Sequence, residues 1–153
     1  KTGFGQSNRT FPGSGTTKSH HGASHHGNVP ADIMDYNLIN TYRLSQVGYF
    51  LERMKNTMEG DASLLDRTAI VWGSPMGDSN LHNHRKCPLI LMGHANGALE
   101  GNLHLRAPGG TPMANAFVSL MQGIGHDEMH GFGDSTGEFA LTFPRGASGD
   151  GQA

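Results

Sequence analysis

Thr68-Ala69-Ile70-Val71-Trp72-Gly73 is the stretch on which the fold class turns. A short apolar run bounded by turn-forming residues predicts a strand, and one with apolar residues at consecutive positions predicts burial on both faces, as in a parallel sheet. Pro88-Leu89-Ile90-Leu91-Met92-Gly93 repeats the pattern. Between the two runs lies a polar loop, residues 74–86, that contains Asp78, His82 and His84. Upstream, residues 31–58 hold no proline and a single glycine, Gly48. Ile33, Tyr36, Ile39, Val47, Phe50, Leu51, Met54 and Met58 recur there at helical spacing, and Arg43, Glu52, Arg53 and Lys55 fall mostly on the rest of the wheel. This predicts one long amphipathic helix, ended by Glu59-Gly60-Asp61.

Downstream, residues 94–110 are glycine-rich, with a short hairpin expected around Leu103-His104-Leu105. Thr111 as N-cap and Pro112 in the first turn open a second helix, whose apolar face uses Met113, Phe117, Leu120, Met121 and Ile124. Helix, strand, loop, strand, helix is an α/β order. The predicted fold is therefore α/β, with a few mainly parallel strands and a long helix packed on them. In such sheets ligands bind beyond the carboxyl ends of strands, which is where the loop carrying His82 and His84 leaves. Residues 1–19 read as loop with a short strand near Arg9-Thr10-Phe11, residues 1–143 as one domain, and residues 144–153 as a disordered tail.

The functional signal lies just before the long helix, in Ser19-His20-His21-Gly22-Ala23-Ser24-His25-His26-Gly27. Four of the chain's 10 histidines fall within it. Imidazole is the commonest protein metal ligand, and histidine-rich tracts are metal candidates by composition. Gly22 and Gly27 argue against a helix here. In an extended segment the adjacent His25 and His26 face opposite ways, so one of the two orients a ligand rather than being one. His82 and His84, two residues apart, share a face of an extended loop. The candidate metal ligands are His21, His25, His26, Asp78, His82 and His84, a nitrogen and oxygen set suited to a divalent transition metal such as zinc, iron or manganese. Arg106 is the candidate for holding an anionic substrate group. Ser24 is expected to serve as a hydrogen-bonding or loop-capping serine, with nucleophile as its rarer role.

Bulk composition narrows the field. Net charge is -2 and the 11 Lys and Arg are scattered, which gives no basic stripe for nucleic acid. Cys87 is the single cysteine, so there is no internal disulfide and no cysteine-based zinc site. No apolar run approaches the length of a membrane span. The 23 glycines predict many loops around few regular elements.

The segment His21-Gly22-Ala23-Ser24-His25-His26 resembles the signature of the bacterial HXXSHH family, a domain of unknown function. The resemblance extends through Trp72-Gly73-Ser74-Pro75-Met76-Gly77-Asp78-Ser79-Asn80-Leu81-His82-Asn83-His84, Thr111-Pro112-Met113-Ala114-Asn115 and Phe132-Gly133-Asp134-Ser135-Thr136-Gly137. It implies the C-terminal part of an alkaline-phosphatase-like fold, with the N-terminal part of the same chain as partner, and export to the periplasm or beyond. It also implies a metal-dependent hydrolase of phosphate or sulfate esters, or else a secreted, non-catalytic metal- or ligand-binding protein on the same scaffold. His25 or His26 would stand for that superfamily's first metal-ligand set and His82 or His84 for its last histidine. Ser74 to Asp78 occupies the place of its Asp-His pair, which this chain lacks.

Overall fold

The computed structural model describes residues 8–141. The tail predicted from residue 144 lies outside them. The described residues divide into two compact units, one of residues 8–63 with 72–90 and the other of residues 64–71 with 91–141.

In the first unit, Thr10 bridges to Ser19 in antiparallel fashion, and a single helical turn, Pro12–Ser14, lies between them. The histidine tract then forms a short helix, α1 (His20–Ser24). Gly22 in its middle did not prevent this, because Ser19 caps it: the Ser19 hydroxyl accepts a hydrogen bond from the Gly22 N–H at 3.1 Å. Such a bond satisfies one of the otherwise unpaired amides of a helix start. The long helix, α2 (Pro30–Lys55), begins with proline in its first turn, where a missing N–H costs nothing, and runs for about 39 Å. Its first turn is tied back to the preceding segment by Lys18, which pairs with both Asp32 and Asp35. Hydrogen bonds from Thr16 and then Lys18 hold the Asp35 carboxyl below its ordinary value.

Only one α2 side chain, Ile39, is fully buried. Tyr36, Ile39 and Arg43 follow i, i+3, i+7 spacing and so share one face. Several residues of the predicted apolar stripe stay open instead, among them Phe50 and, beyond the helix end, Met58. After α2 comes a two-residue hairpin that the sequence reading missed, β1 (Met58–Glu59) and β2 (Ala62–Ser63), antiparallel around Gly60-Asp61.

A one-turn helix, α3 (Leu64–Arg67), leads into the stretch that was expected to decide the fold. It forms β3 (Ile70–Gly73), which pairs with β4 (Leu89–Met92) in a sheet of just these two strands. The pairing is antiparallel. Ser74 N–H reaches Pro88 O at one end, and Ala95 N–H reaches Thr68 O at the other. The mainly parallel sheet of the α/β prediction is thereby overturned, and the two small sheets of the described residues are both antiparallel. Two physical reasons account for the misreading. Val71 and Ile90 are apolar yet 43% and 45% exposed, so a continuous apolar run here marks one covered face and not two. The connection between the strands also contains no helix, whereas parallel neighbours need a crossover that is usually helical.

The second unit takes its core from Ala95, Leu99 and Leu120, with Ala69, Leu91, Ala98 and Leu141 against them. Gly93, at φ +87°, closes β4 at a point where a Cβ would stand 2.1 Å from Thr68 O, so no other residue fits. No strand forms around Leu103-His104-Leu105, so the expected hairpin is absent from the described residues. The helix α4 (Met113–Gly123) starts one residue later than the sequence reading has it, with Pro112 rather than Thr111 as N-cap. Buried Asn115 holds Thr136 at two points, accepting from its N–H at 2.9 Å and donating to its hydroxyl at 3.3 Å. Ser119 Oγ accepts from Phe139 N–H and Gln122 donates to Met129 O, so the turn at 132–137 is a strap across α4.

Candidate metal centre

The first unit gathers most of the predicted site. His21 and His25 are four residues apart on α1 and its C-terminal cap, hence on one face, and their ring centroids lie 4.8 Å apart. The ring of His82 also stands 4.8 Å from that of His25, so His25 has an imidazole neighbour from α1 and another from the loop. The Nε2 atoms of His25 and His82 face each other at 3.4 Å. That separation exceeds the usual hydrogen-bond range of about 2.7–3.2 Å. It does match two nitrogens bound to one tetrahedral metal: with each metal–nitrogen bond near 2.05 Å, the nitrogens fall about 3.3 Å apart.

The loop of residues 74–88 is built to present His82. Asp78 bridges to Asn83, and its Oδ1 accepts the N–H groups of Asn80 and Leu81. Through Oδ1 the Asp78 carboxylate thus shapes the turn, an ordinary Asx arrangement. Ser79 donates to Ser24 O at 3.0 Å, and Asn80 accepts from Gly27 N–H at 2.9 Å, so the loop is fastened to both ends of the His25-His26 segment. His82 itself sits at φ +52°. A non-glycine residue in that region costs on the order of 1 kcal/mol, strain that is usually held in place at functional positions.

Hydrogen bonding assigns the other histidines. His26 Nδ1 accepts from Asn28 N–H, so a neutral His26 carries its proton on Nε2 and acts as a donor. His84 has the opposite tautomer. Its Nδ1 is 2.7 Å from Pro75 O, which can only accept, so Nδ1 holds the proton and Nε2 keeps a lone pair. Donation to a backbone carbonyl is how metal-ligating histidines are usually oriented. Cys87 donates to the same carbonyl and is half-buried. The hydroxyl of buried Ser24 donates to His21 O at 2.7 Å and so braces α1. Among the described residues, no three or more His, Cys, Asp or Glu side chains converge on one point. The pair brought within ligand spacing is His25 with His82, and His21 lies against His25.

Arg106 is exposed and belongs to the second unit. The second unit's cleft, about 470 Å³ and lined by Leu99, Ser119, Leu120, Gln122 and Glu138 among others, has Glu138 as its single ionisable residue, already engaged by Gln122.

Sequence reasoning missed the cluster behind α1. Arg43 turns inward from α2, with Nη1 2.7 Å from His20 Nε2 and its guanidinium 5.6 Å above the Trp72 ring. The sequence offered just one part of the signal, Ser19 as the mark of a helix start. Burial first, and the Arg43 charge second, hold His20 below the ordinary imidazole value. The unfolded chain therefore takes up a proton near pH 6.5 that the folded chain refuses, and stability falls as pH drops below about 6.5. Denaturant midpoints measured from pH 7 to 5 are expected to decline, and His20→Gln should flatten that slope. An unchanged slope in the variant would remove His20 from this account.

No family model matches the chain, and neither a curated protein nor a solved structure does. No helix among the described residues is long and apolar enough to cross a membrane.

Proposed function

We propose that His25 and His82 hold a divalent transition metal (zinc, iron or manganese) and that the protein uses it to hydrolyse a phosphate or sulfate ester. The observation that supports this most is the 3.4 Å separation of the two Nε2 atoms, the spacing of two ligands on one tetrahedral ion. When bound, the metal would polarise an ester oxygen and lower the pKa of its water. Two protein ligands leave coordination positions for water and substrate. The likeness of residues 21–26 to the HXXSHH signature also supports a role for the tract, and export is part of the same reading. A second reading, metal binding without turnover, draws on the exposure of both His25 and His82, since catalytic metals usually work in sheltered clefts.

The test is a zinc titration of the full chain by calorimetry, together with turnover of aryl phosphate and aryl sulfate esters. Stoichiometric zinc is expected, lost in the His25→Ala/His82→Ala double variant along with turnover. Binding without turnover selects the second reading, and a double variant that binds as the parent does ends both.

A further inference from the structure

The cleft of the second unit has an apolar floor and polar side chains with nothing left to donate. Leu99 and Leu120 belong to the core beneath it, Leu141 packs against that core, and Ser119, Gln122 and Glu138 are the polar side chains that line it. Ser119 has one hydroxyl proton, which Oγ gives to Asn115 O at 3.2 Å while accepting from Phe139 N–H. Gln122 has two amide protons. Its Nε2 directs one at Met129 O, 2.9 Å away, and the other at Glu138 Oε1, 3.0 Å away. Both partners accept, which fixes the amide with its nitrogen on that side. The Glu138 carboxylate itself is an acceptor. The donors of all three side chains are thus spent inside the fold, and acceptor positions remain. Gln122 Oε1 and Glu138 Oε2 take no part in any hydrogen bond among the described residues. Charge has the same sign: residues 107–141 contain Asp127, Glu128, Asp134 and Glu138 but no Lys or Arg. The neutral Gln122 amide leaves the Glu138 charge unmatched.

We propose that this cleft binds a primary ammonium group carried on a small apolar body, the ammonium on Glu138 and Gln122 and the body over Leu99, Leu120 and Leu141. Its volume of about 470 Å³ falls in the range of small-molecule sites. An ammonium offers three N–H donors and no acceptor, the complement of side chains that hold acceptors alone. A carboxylate or phosphate ligand would meet Glu138 with like charge and find no side-chain donor, which selects against it. A neutral alcohol would donate once and gain nothing from the charge. The proposal goes beyond the metal reading and does not draw on it, since no residue of that reading lines the cleft.

The experiment titrates the full chain, at constant pH and ionic strength, with phenethylamine, phenethyl alcohol and hydrocinnamate, probes that share a ring and differ in the head group. Backbone amide shifts in nitrogen–proton NMR spectra report both affinity and place. Saturable binding of the amine is expected, with its largest shifts at Leu120, Gln122 and Glu138, weaker binding of the alcohol and none of the carboxylate. Glu138→Gln keeps the shape of an exposed side chain and removes its charge. It should weaken the amine roughly 5- to 10-fold, the effect of a solvent-open ion pair that also carries a hydrogen bond, and change the alcohol far less. Asp134→Asn removes an equal charge from the same segment outside the cleft and should leave amine affinity unchanged. No saturable amine binding in the parent, equal affinity for amine and alcohol, parent-like amine affinity in Glu138→Gln, or equal losses in the two variants overturns the proposal.

Discussion

His82→Ala is expected to lower the zinc affinity of the chain by at least about 100-fold. Loss of a residue that merely orients a ligand costs 10- to 100-fold, and loss of a ligand should cost no less. The argument is geometric. His25 Nε2 faces the Nε2 of His82 at ligand spacing. His84 is two residues further on in the same loop, but its ring is oriented by Pro75 O. His84→Ala should therefore have a smaller effect than His82→Ala. Competition against a chromophoric zinc chelator measures both. Equal losses would mean that the loop's histidines are interchangeable and that the observed pairing does not define the centre.

Gly77→Ala is expected to match His82→Ala in zinc affinity although no ligand is touched. A Cβ on Gly77 would stand 1.7 Å from Arg85 O and 2.9 Å from Arg85 C. These are backbone atoms of the opposite limb of the loop, so no side-chain rotation relieves the clash. The Gly77 N–H also bonds to Asn83 O, next to His82. Relief requires the limbs to part, at no less than the roughly 1–3 kcal/mol of ordinary overpacking, and His82 moves with them. The helical circular dichroism of α2 should persist, because Gly77 lies outside the helix. Parent-like zinc affinity in a folded Gly77→Ala protein would show that the loop's closed form is unnecessary for the centre.

The parts of the molecule legible in sequence are those where one local signal dominates. The long helix was predicted over residues 31–58 and found as Pro30–Lys55, because twenty-odd residues without proline leave the backbone little alternative. The two strands were placed within a residue or two, yet their relative direction was lost. Direction depends on what covers each face, and Val71 and Ile90 are apolar without being covered. The histidine tract was singled out by composition, but its helical form depends on the Ser19 cap winning over Gly22, a contest that helix propensity alone misjudges. Arg43 was read as part of a polar face, since nothing in the sequence distinguishes an arginine stacked on a tryptophan more than twenty residues away from one in water. Asp78 illustrates the converse. Its residue type suits a metal, but the two amide hydrogen bonds it accepts come from its own turn.

On the metal reading proposed above, the fastenings between the loop and the histidine helix bear on how quickly an ion would be captured. Ser79 on Ser24 O, Asn80 on Gly27 N–H and the Asp78–Asn83 bridge hold His82 opposite His25 before any ion arrives. Capture then requires no folding of a segment around the ion and no ordering entropy at the moment of binding. The slow event becomes the exchange of water from the ion itself. The order of uptake among competing metals would accordingly follow their rates of aqua-ligand loss at first contact, and their affinities only after equilibration.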